Sequence, residues 1–205
     1  MKSVVKKVVL IRHDEKSGES IKPENLVAIE TNGIKGLNGF LKPENNIVIG
    51  LGTELKRTEQ TILAFQAYME KQGCFPSQIL AAEKRFGSSE LFNSLTGNAD
   101  LMAEKAKVGW YMALCYAEPK LLDEIQVSQL QALSAIFETI DDAIAIIVGH
   151  TPMIELLAIY IDSHDVVFRG SGFGIEESLS LNPLQGVEFS MDDRGNIHVS
   201  GLIGF

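Results

Sequence analysis

A chain of 205 residues that is 45% hydrophobic has enough apolar side chain for one sizeable core, and is too apolar to be disordered. Its net charge of −9 excludes non-specific binding to nucleic acid or to an anionic membrane, since both need a surplus of Lys and Arg. Any bound anion must therefore be held by a local positive cluster. The longest apolar run, Ala143 to Gly149, is far short of the ~20 residues a membrane span needs. Met1-Lys2-Ser3 leads straight into the first strand and leaves no room for a signal peptide, which predicts a cytoplasmic protein. Cys74 and Cys115 are far apart among apolar residues and read as buried thiols, not as a disulfide or a metal pair.

Val8-Val9-Leu10-Ile11 reads as a strand buried on both faces, the pattern of a central strand in an α/β sheet. It stops at Arg12-His13, which puts a guanidinium and an imidazole at the carboxyl end of a strand, where open α/β sheets bind ligands. The polar stretch Asp14 to Glu30 reads as a loop above that crevice. Thr31 then caps a short helix with Ile34, Leu37 and Leu41 on its apolar stripe. Asn46 to Gly52 is the second buried strand, and from Thr53 a long helix carries Leu55, Ile62, Phe65 and Met69 on one face until Gly73 closes it. Helical side chains lean toward the N-terminus, so Arg57 in the first turn points back over the end of the preceding strand. Ser77 to Ala82 is a third, short strand with Glu83 directly after it.

The segment from about 92 to 140 is helical, divided at Pro119, with a capping box at Ser128 and Gln131. It is longer than a crossover requires, so part of it is available to roof the site; a plain crossover is the alternative. Asp142 to Gly149 is another buried strand and ends at His150, with Thr151 and Pro152 as N-cap and first turn of a helix through Ile161. Free amides at that helix start favour an anion beside His150. Val187, Phe189 and Met191, then Ile197 and Val199, alternate around the turn Asp192 to Asn196 as an antiparallel hairpin. The fold class is α/β, a three-layer α/β/α sandwich in one domain over 1–205, its sheet mostly parallel with an antiparallel C-terminal edge hairpin.

Strand ends and helix starts thus contribute Arg12 with His13, Arg57, Glu83 and His150. Two guanidiniums, two imidazoles and a carboxyl group suit phosphoryl transfer, where catalysis is mainly positioning and neutralisation of charge on the equatorial oxygens. The set needs no metal and no cofactor, and the partner it implies is a phosphorylated substrate.

In four pieces, in order, the sequence resembles the histidine phosphatase superfamily of phosphoglycerate mutase-like enzymes: Leu10-Ile11-Arg12-His13-Asp14-Glu15, Thr53 to Thr61 around Arg57, Glu83-Lys84-Arg85-Phe86-Gly87, and Val148-Gly149-His150. The resemblance implies that His13 is the nucleophile that forms a phosphohistidine. It further implies that Arg12, Arg57 and His150, with Thr151 beside them, hold the phosphoryl oxygens, and that Glu83 protonates the leaving oxygen and then activates water. Glu90, beyond Gly87, is the alternative proton donor. The expected activity is that of a phosphatase acting on a small phosphomonoester or a phosphoprotein. A mutase and a slow phosphate-binding regulatory module are the alternatives. Three departures from the family pattern stand out. Asp14 replaces the usual Gly, Gly52-Thr53-Glu54 replaces Ser-Ser-Pro, and Ser17-Gly18-Glu19 stands where mutases carry a substrate-binding Asn, which weakens the mutase reading.

Other polar residues read more plainly. His164-Asp165 reads as a solvated loop, His198 as a surface histidine, and Arg169 to Gly174 as a flexible turn with the wrong glycine spacing for a dinucleotide fingerprint. Trp110, Tyr111 and Tyr116 at helical spacing read as core.

Overall fold

Alternation decides where the first strand, β1 (Lys6–Arg12), buries its side chains. Val8 and Leu10 pack with one layer of helices, Val9 and Ile11 with the other, and all four are at most 1% exposed. The computed structural model describes residues 6–87, 89–140, 143–164 and 180–205. Asp165 and the Arg169 to Gly174 turn lie outside the described residues.

Six strands form the main sheet in the order β5-β4-β6-β1-β7-β8. The strands β4 (Asn46–Leu51), β5 (Gln78–Leu80) and β6 (Ala143–Gly149) run parallel with β1. On the other side of β1, β7 (Gly186–Met191) pairs antiparallel and continues into β8 (Ile197–Ile203), so the C-terminal hairpin forms one edge. Helices α1 (Pro23–Asn32) and α2 (Lys56–Lys71) supply Ile29, Ile62, Phe65 and Met69 to one face. Helices α5 (Pro119–Thr139) and α6 (Met153–His164) supply Leu133, Phe137, Leu157 and Ala158 to the other. This is the expected α/β/α layering. A third apolar cluster joins α3 (Ser89–Gly97) and α4 (Ala99–Ala117) to α5 and the start of α6 through Leu95, Leu101, Leu114, Leu122 and Leu156.

Local readings of the chain fail where a competing signal is stronger. Asp14 to Glu30 is not all loop: it holds a small hairpin, β2 (Lys16–Ser17) with β3 (Ser20–Ile21), and most of α1. Pro23 in the first turn starts that helix, and Gly33 at φ 72 ends it, so the helix lies N-terminal to the one expected at Thr31. A side chain at Gly33 would run into the Tyr68 ring of α2, so this glycine sets both the turn and the helix contact. The capping box at Ser128 and Gln131 does not form, because α5 starts at Pro119 and runs unbroken through both residues. His164 ends α6 as a helical residue against the Tyr160 ring, not in a loop. His198 is 5% exposed, and its Nε2 lies 3.4 Å from an Asp192 carboxylate oxygen. The alternation itself holds, with Ile197 and Val199 packed on the opposite face, so the surface position expected from it fails because the second face is covered here as well. Cys74 is buried as expected, whereas Cys115 is only half-buried.

Candidate active site

The ladder between β1 and β6 sets the position of two of the site residues. Arg12 pairs in register with Gly149, and the His13 N–H donates to the Gly149 carbonyl at 3.2 Å. Each strand releases a histidine at the same level, and the His13 and His150 rings meet edge to face with centroids 4.5 Å apart. The next strand ends at that level too, since the Gly52 N–H donates to Val148 O at 2.7 Å. Thr53, fully buried, then accepts the Leu55 N–H on its hydroxyl at 2.9 Å and turns the chain into α2.

Arg57, in the first turn of α2, reaches both imidazoles. Its Nε–H donates to His13 Nε2 at 3.2 Å, and Nη2 lies 3.5 Å from His150 Nδ1. His13 Nδ1 faces the Asp14 carbonyl at 2.5 Å. A carbonyl only accepts and an arginine only donates, so the proton of His13 sits on Nδ1 and Nε2 keeps its lone pair. By the same reasoning His150 accepts at Nδ1 and carries its proton on Nε2.

Burial makes both rings neutral. His13 is lowered to about 4, first by burial and then by the charges of Arg57, Arg12 and Lys16, against the hydrogen bond to Asp14 O. His150 is lowered to about 2, first by burial, then by repulsion from His13 whenever that ring takes a proton, and by the charges of Arg57, Lys16 and Arg12. Arg57, 7% exposed, is itself lowered by burial. Three nitrogenous groups that would repel one another as cations thus share one desolvated spot carrying the guanidinium's charge, an arrangement suited to an incoming anion.

Arg12 stands beside this trio. One Nη of its guanidinium donates to the Leu181 carbonyl, and its field reaches both histidines. It lines a cleft together with Thr151, Gly109, Trp110, Tyr111 and Glu155. The cleft wall on α4 is where the helix breaks, at Gly109 with φ 81. Trp110 and Tyr111 border the cleft next to Arg12 and, half-buried, also pack against the third apolar cluster as the sequence suggested, while Tyr116 is 67% exposed and is not core. Thr151 and Pro152 form a turn, and α6 begins at Met153, one residue later than predicted. The Ile154 N–H still donates to His150 O at 3.2 Å and ties the helix start to the second histidine.

Glu83 is not brought into contact with the histidines. Its N–H donates to Leu51 O at 2.9 Å, which keeps it at the end of β4, but its carboxylate is clasped by Arg85 Nε at 2.8 Å and Nη2 at 2.6 Å. That clasp holds its carboxyl below the usual range. Glu90 is exposed in the first turn of α3.

Asp14 is buried and turned away from the imidazoles, its carboxylate accepting the Glu15 N–H at 2.6 Å and the Asn25 side-chain amide at 3.3 Å. The residue that replaces glycine thus anchors the start of α1, and it acts on His13 through its backbone carbonyl and not through its carboxylate. The β2–β3 hairpin overhangs the site, where Lys16 acts on both histidines and Glu19 on Arg57.

Sequence reasoning passed over Glu155, 5% exposed in the first turn of α6 and raised to about 7 by burial. Its signal was there: a lone carboxylate in the apolar run Met153-Ile154-Glu155-Leu156-Leu157. Among the described residues no group of three or more His, Cys, Asp or Glu side chains is arranged to hold a metal ion, and no helix is long and apolar enough to cross a membrane.

No family model matches the sequence, and no curated protein does. Solved structures do. A phosphoserine phosphatase from Entamoeba histolytica, in complex with 3-phosphoglyceric acid, is 12% identical, with 98% of each chain covered and a TM-score of 0.58. Bacillus stearothermophilus YhfR is 12% identical over 95% of each chain with a TM-score of 0.57. The SixA protein of Nakamurella multipartitia is 15% identical, covering 97% of this chain and 95% of that one, with a TM-score of 0.55. Each alignment spans nearly the whole of both chains, and this chain shares the fold of these three structures.

Proposed function

We propose that the protein is a phosphatase that hydrolyses a phosphomonoester, of a small molecule or of a protein, through a phosphohistidine at His13. The observation that carries this reading is the Arg57 Nε–H held on Nε2 of His13 at 3.2 Å. It supports an unprotonated nucleophile with a cation already at the attacking atom.

In the proposed cycle an arriving phosphoryl oxygen takes over that N–H. The Nε2 lone pair attacks phosphorus, and the P–O bond to the leaving group breaks. Arg12, Arg57 and His150 Nε2–H bear the charge on the equatorial oxygens, and a carboxylic acid, Glu83 or Glu90, gives its proton to the leaving oxygen. Water then attacks the phosphohistidine, its proton returns to that carboxylate, and the P–N bond breaks to release phosphate. Each donor lost should raise the barrier by about 3 kcal/mol, as for a single oxyanion-hole contact.

The test is hydrolysis of p-nitrophenyl phosphate in the presence of EDTA, with acid-labile, base-stable label on His13 after rapid quench. His13→Ala should abolish both, and turnover that survives it overturns the reading. The Arg85 clasp on Glu83 favours one second reading, a slow phosphate-binding module. Phosphate binding by calorimetry without a trapped phosphohistidine would distinguish it.

A further inference from the structure

We infer that Glu155 is a positioning residue for Arg12, acting through the backbone of Leu181, whose N–H and C=O flank its Cα in successive peptide units. This rests on the phosphatase reading above and names a part of the site that the motifs do not contain.

The relay is continuous. Glu155 Oε1 accepts the Leu181 N–H at 3.1 Å, and the Leu181 carbonyl accepts from one Nη of Arg12. Leu181 is fully buried, so its peptide has no water to turn to if either partner leaves. The same short segment grips the Arg12 backbone from the other side, the Arg12 N–H donating to Gln185 O at 2.9 Å and the Leu184 N–H to Arg12 O at 3.1 Å. Arg12 is therefore held at main chain and side chain by residues 181–185, and Glu155, outside that segment, holds the N–H of its first residue.

Cost argues in the same direction. Burying a carboxyl in the apolar start of α6, between Ile154 at 1% and Leu156 at 0% exposure, disfavours its charge and demands hydrogen bonds in return. It receives few: among the described residues Oε2 has no hydrogen-bond partner, and neither has Arg12 Nε. Both residues line the cleft beside Thr151. Arg12 thus spends an Nη on Leu181 and keeps the rest of its fork for an anion. A plain filler at 155 would pack as well without the carboxyl, whereas an acceptor at this height pins the Leu181 N–H and so fixes the place of the residue whose carbonyl meets the guanidinium.

The test compares wild type with Glu155→Met, Glu155→Gln, Arg12→Ala and the Arg12→Ala/Glu155→Met double variant. Met matches the volume without the acceptor, and Gln keeps the acceptor without the acid. Misplacing one charge contact by an ångström costs about a hundredfold at most. Glu155→Met should therefore lower kcat/KM for p-nitrophenyl phosphate by roughly ten- to a hundredfold, Gln should recover most of the loss, and the double variant should be no worse than Arg12→Ala. A double variant in which the two losses multiply, or a Gln variant as poor as Met, overturns the inference. Crystal structures of the Met and Gln variants give a readout free of activity. The guanidinium should leave the Leu181 carbonyl in the first and stay in the second, and a guanidinium unmoved in the Met variant also overturns it. Should Met not fold, Glu155→Ala takes its place in both arms. If wild type has no turnover at all, the phosphatase reading fails alone, and the crystal structures still decide the role of Glu155.

Discussion

Arg57 donates its Nε–H to Nε2 of His13 across 3.2 Å, so the atom proposed to attack phosphorus is held by the group that would neutralise the oxygens around it. Arg57→Lys keeps the charge but loses the fixed fork that spans both imidazoles. It should lower kcat/KM for p-nitrophenyl phosphate by about a hundredfold, the size of one lost oxyanion contact. Steady-state kinetics, with phosphate affinity from calorimetry, checks it. A loss under threefold would remove Arg57 from the proposed chemistry.

His13 should remain neutral well into the acid range. Its folded value of about 4 lies below the usual 6.5, so in the native protein the ring takes a proton only as pH falls through about 4. The His13 ring resonances should show no titration between pH 8 and 5.5 in the unliganded protein. A midpoint near 6.5 would contradict the burial described for the site.

The same shifts appear in stability. Between about pH 4 and 6.5 the unfolded chain binds a proton at His13 that the folded one refuses, so this residue's contribution is full above 6.5 and is lost as pH falls through that window. Glu155 works in the opposite direction. Its folded value is raised from 4.5 to about 7, so between those values the unfolded chain is the one that has lost its proton, and stability falls as pH rises. At about 1.4 kcal/mol for each pH unit of that window, the carboxyl costs roughly 3 kcal/mol at pH 8 relative to pH 4. Glu155→Gln should remove this slope, which urea melts at pH 4.5, 6 and 8 would measure. Parallel wild-type and variant curves would refute it.

Glu83 acts as the proton donor only if its carboxyl leaves Arg85. Nitrophenolate departs without help, whereas an alkoxide needs a proton. Glu83→Gln should therefore slow an alkyl phosphate by about a hundredfold and p-nitrophenyl phosphate much less, within the usual range for general acid catalysis. Equal losses on both substrates would transfer the role to another group, and Glu90→Gln is the matching control.

Gly186 pairs with Ile11, and a Cβ there would collide with the Leu10 carbonyl of β1. Backbone cannot yield as a flexible side chain does. Gly186→Ala should cost about 1–3 kcal/mol, the usual range for overpacking, in thermal or urea melts. Full stability in this variant would mean the strand pair has room that the geometry denies.

What the sequence made legible was the set of features governed by local pattern. Apolar runs mark the parallel strands and alternation marks the hairpin, and the polar residues that follow the runs mark the edge where His13, Arg57 and His150 lie. The parts that stayed hidden depend on partners far away in the chain. Nothing near Glu83 in sequence says that Arg85 turns back to clasp it, because the 3₁₀ turn that allows it forms only in the folded loop. Glu155 looked like one acid in an apolar helix, since its partner Leu181 lies 26 residues on. Trp110 and Tyr111 read as core and do pack against the third cluster, but helical spacing does not announce that the helix breaks at Gly109 or that the same two side chains border the cleft.

The imidazole pair comes from neighbouring parallel strands locked by the Arg12–Gly149 register. Its spacing is therefore inherited from the ladder hydrogen bonds of the sheet, while the 16–21 hairpin and the broken helix around Gly109 lie outside that sheet. Under the proposed function, selectivity for the rest of a substrate falls to those two segments. Exchanging either overhanging segment should change which molecule is admitted while the distance between the two rings stays as the sheet sets it.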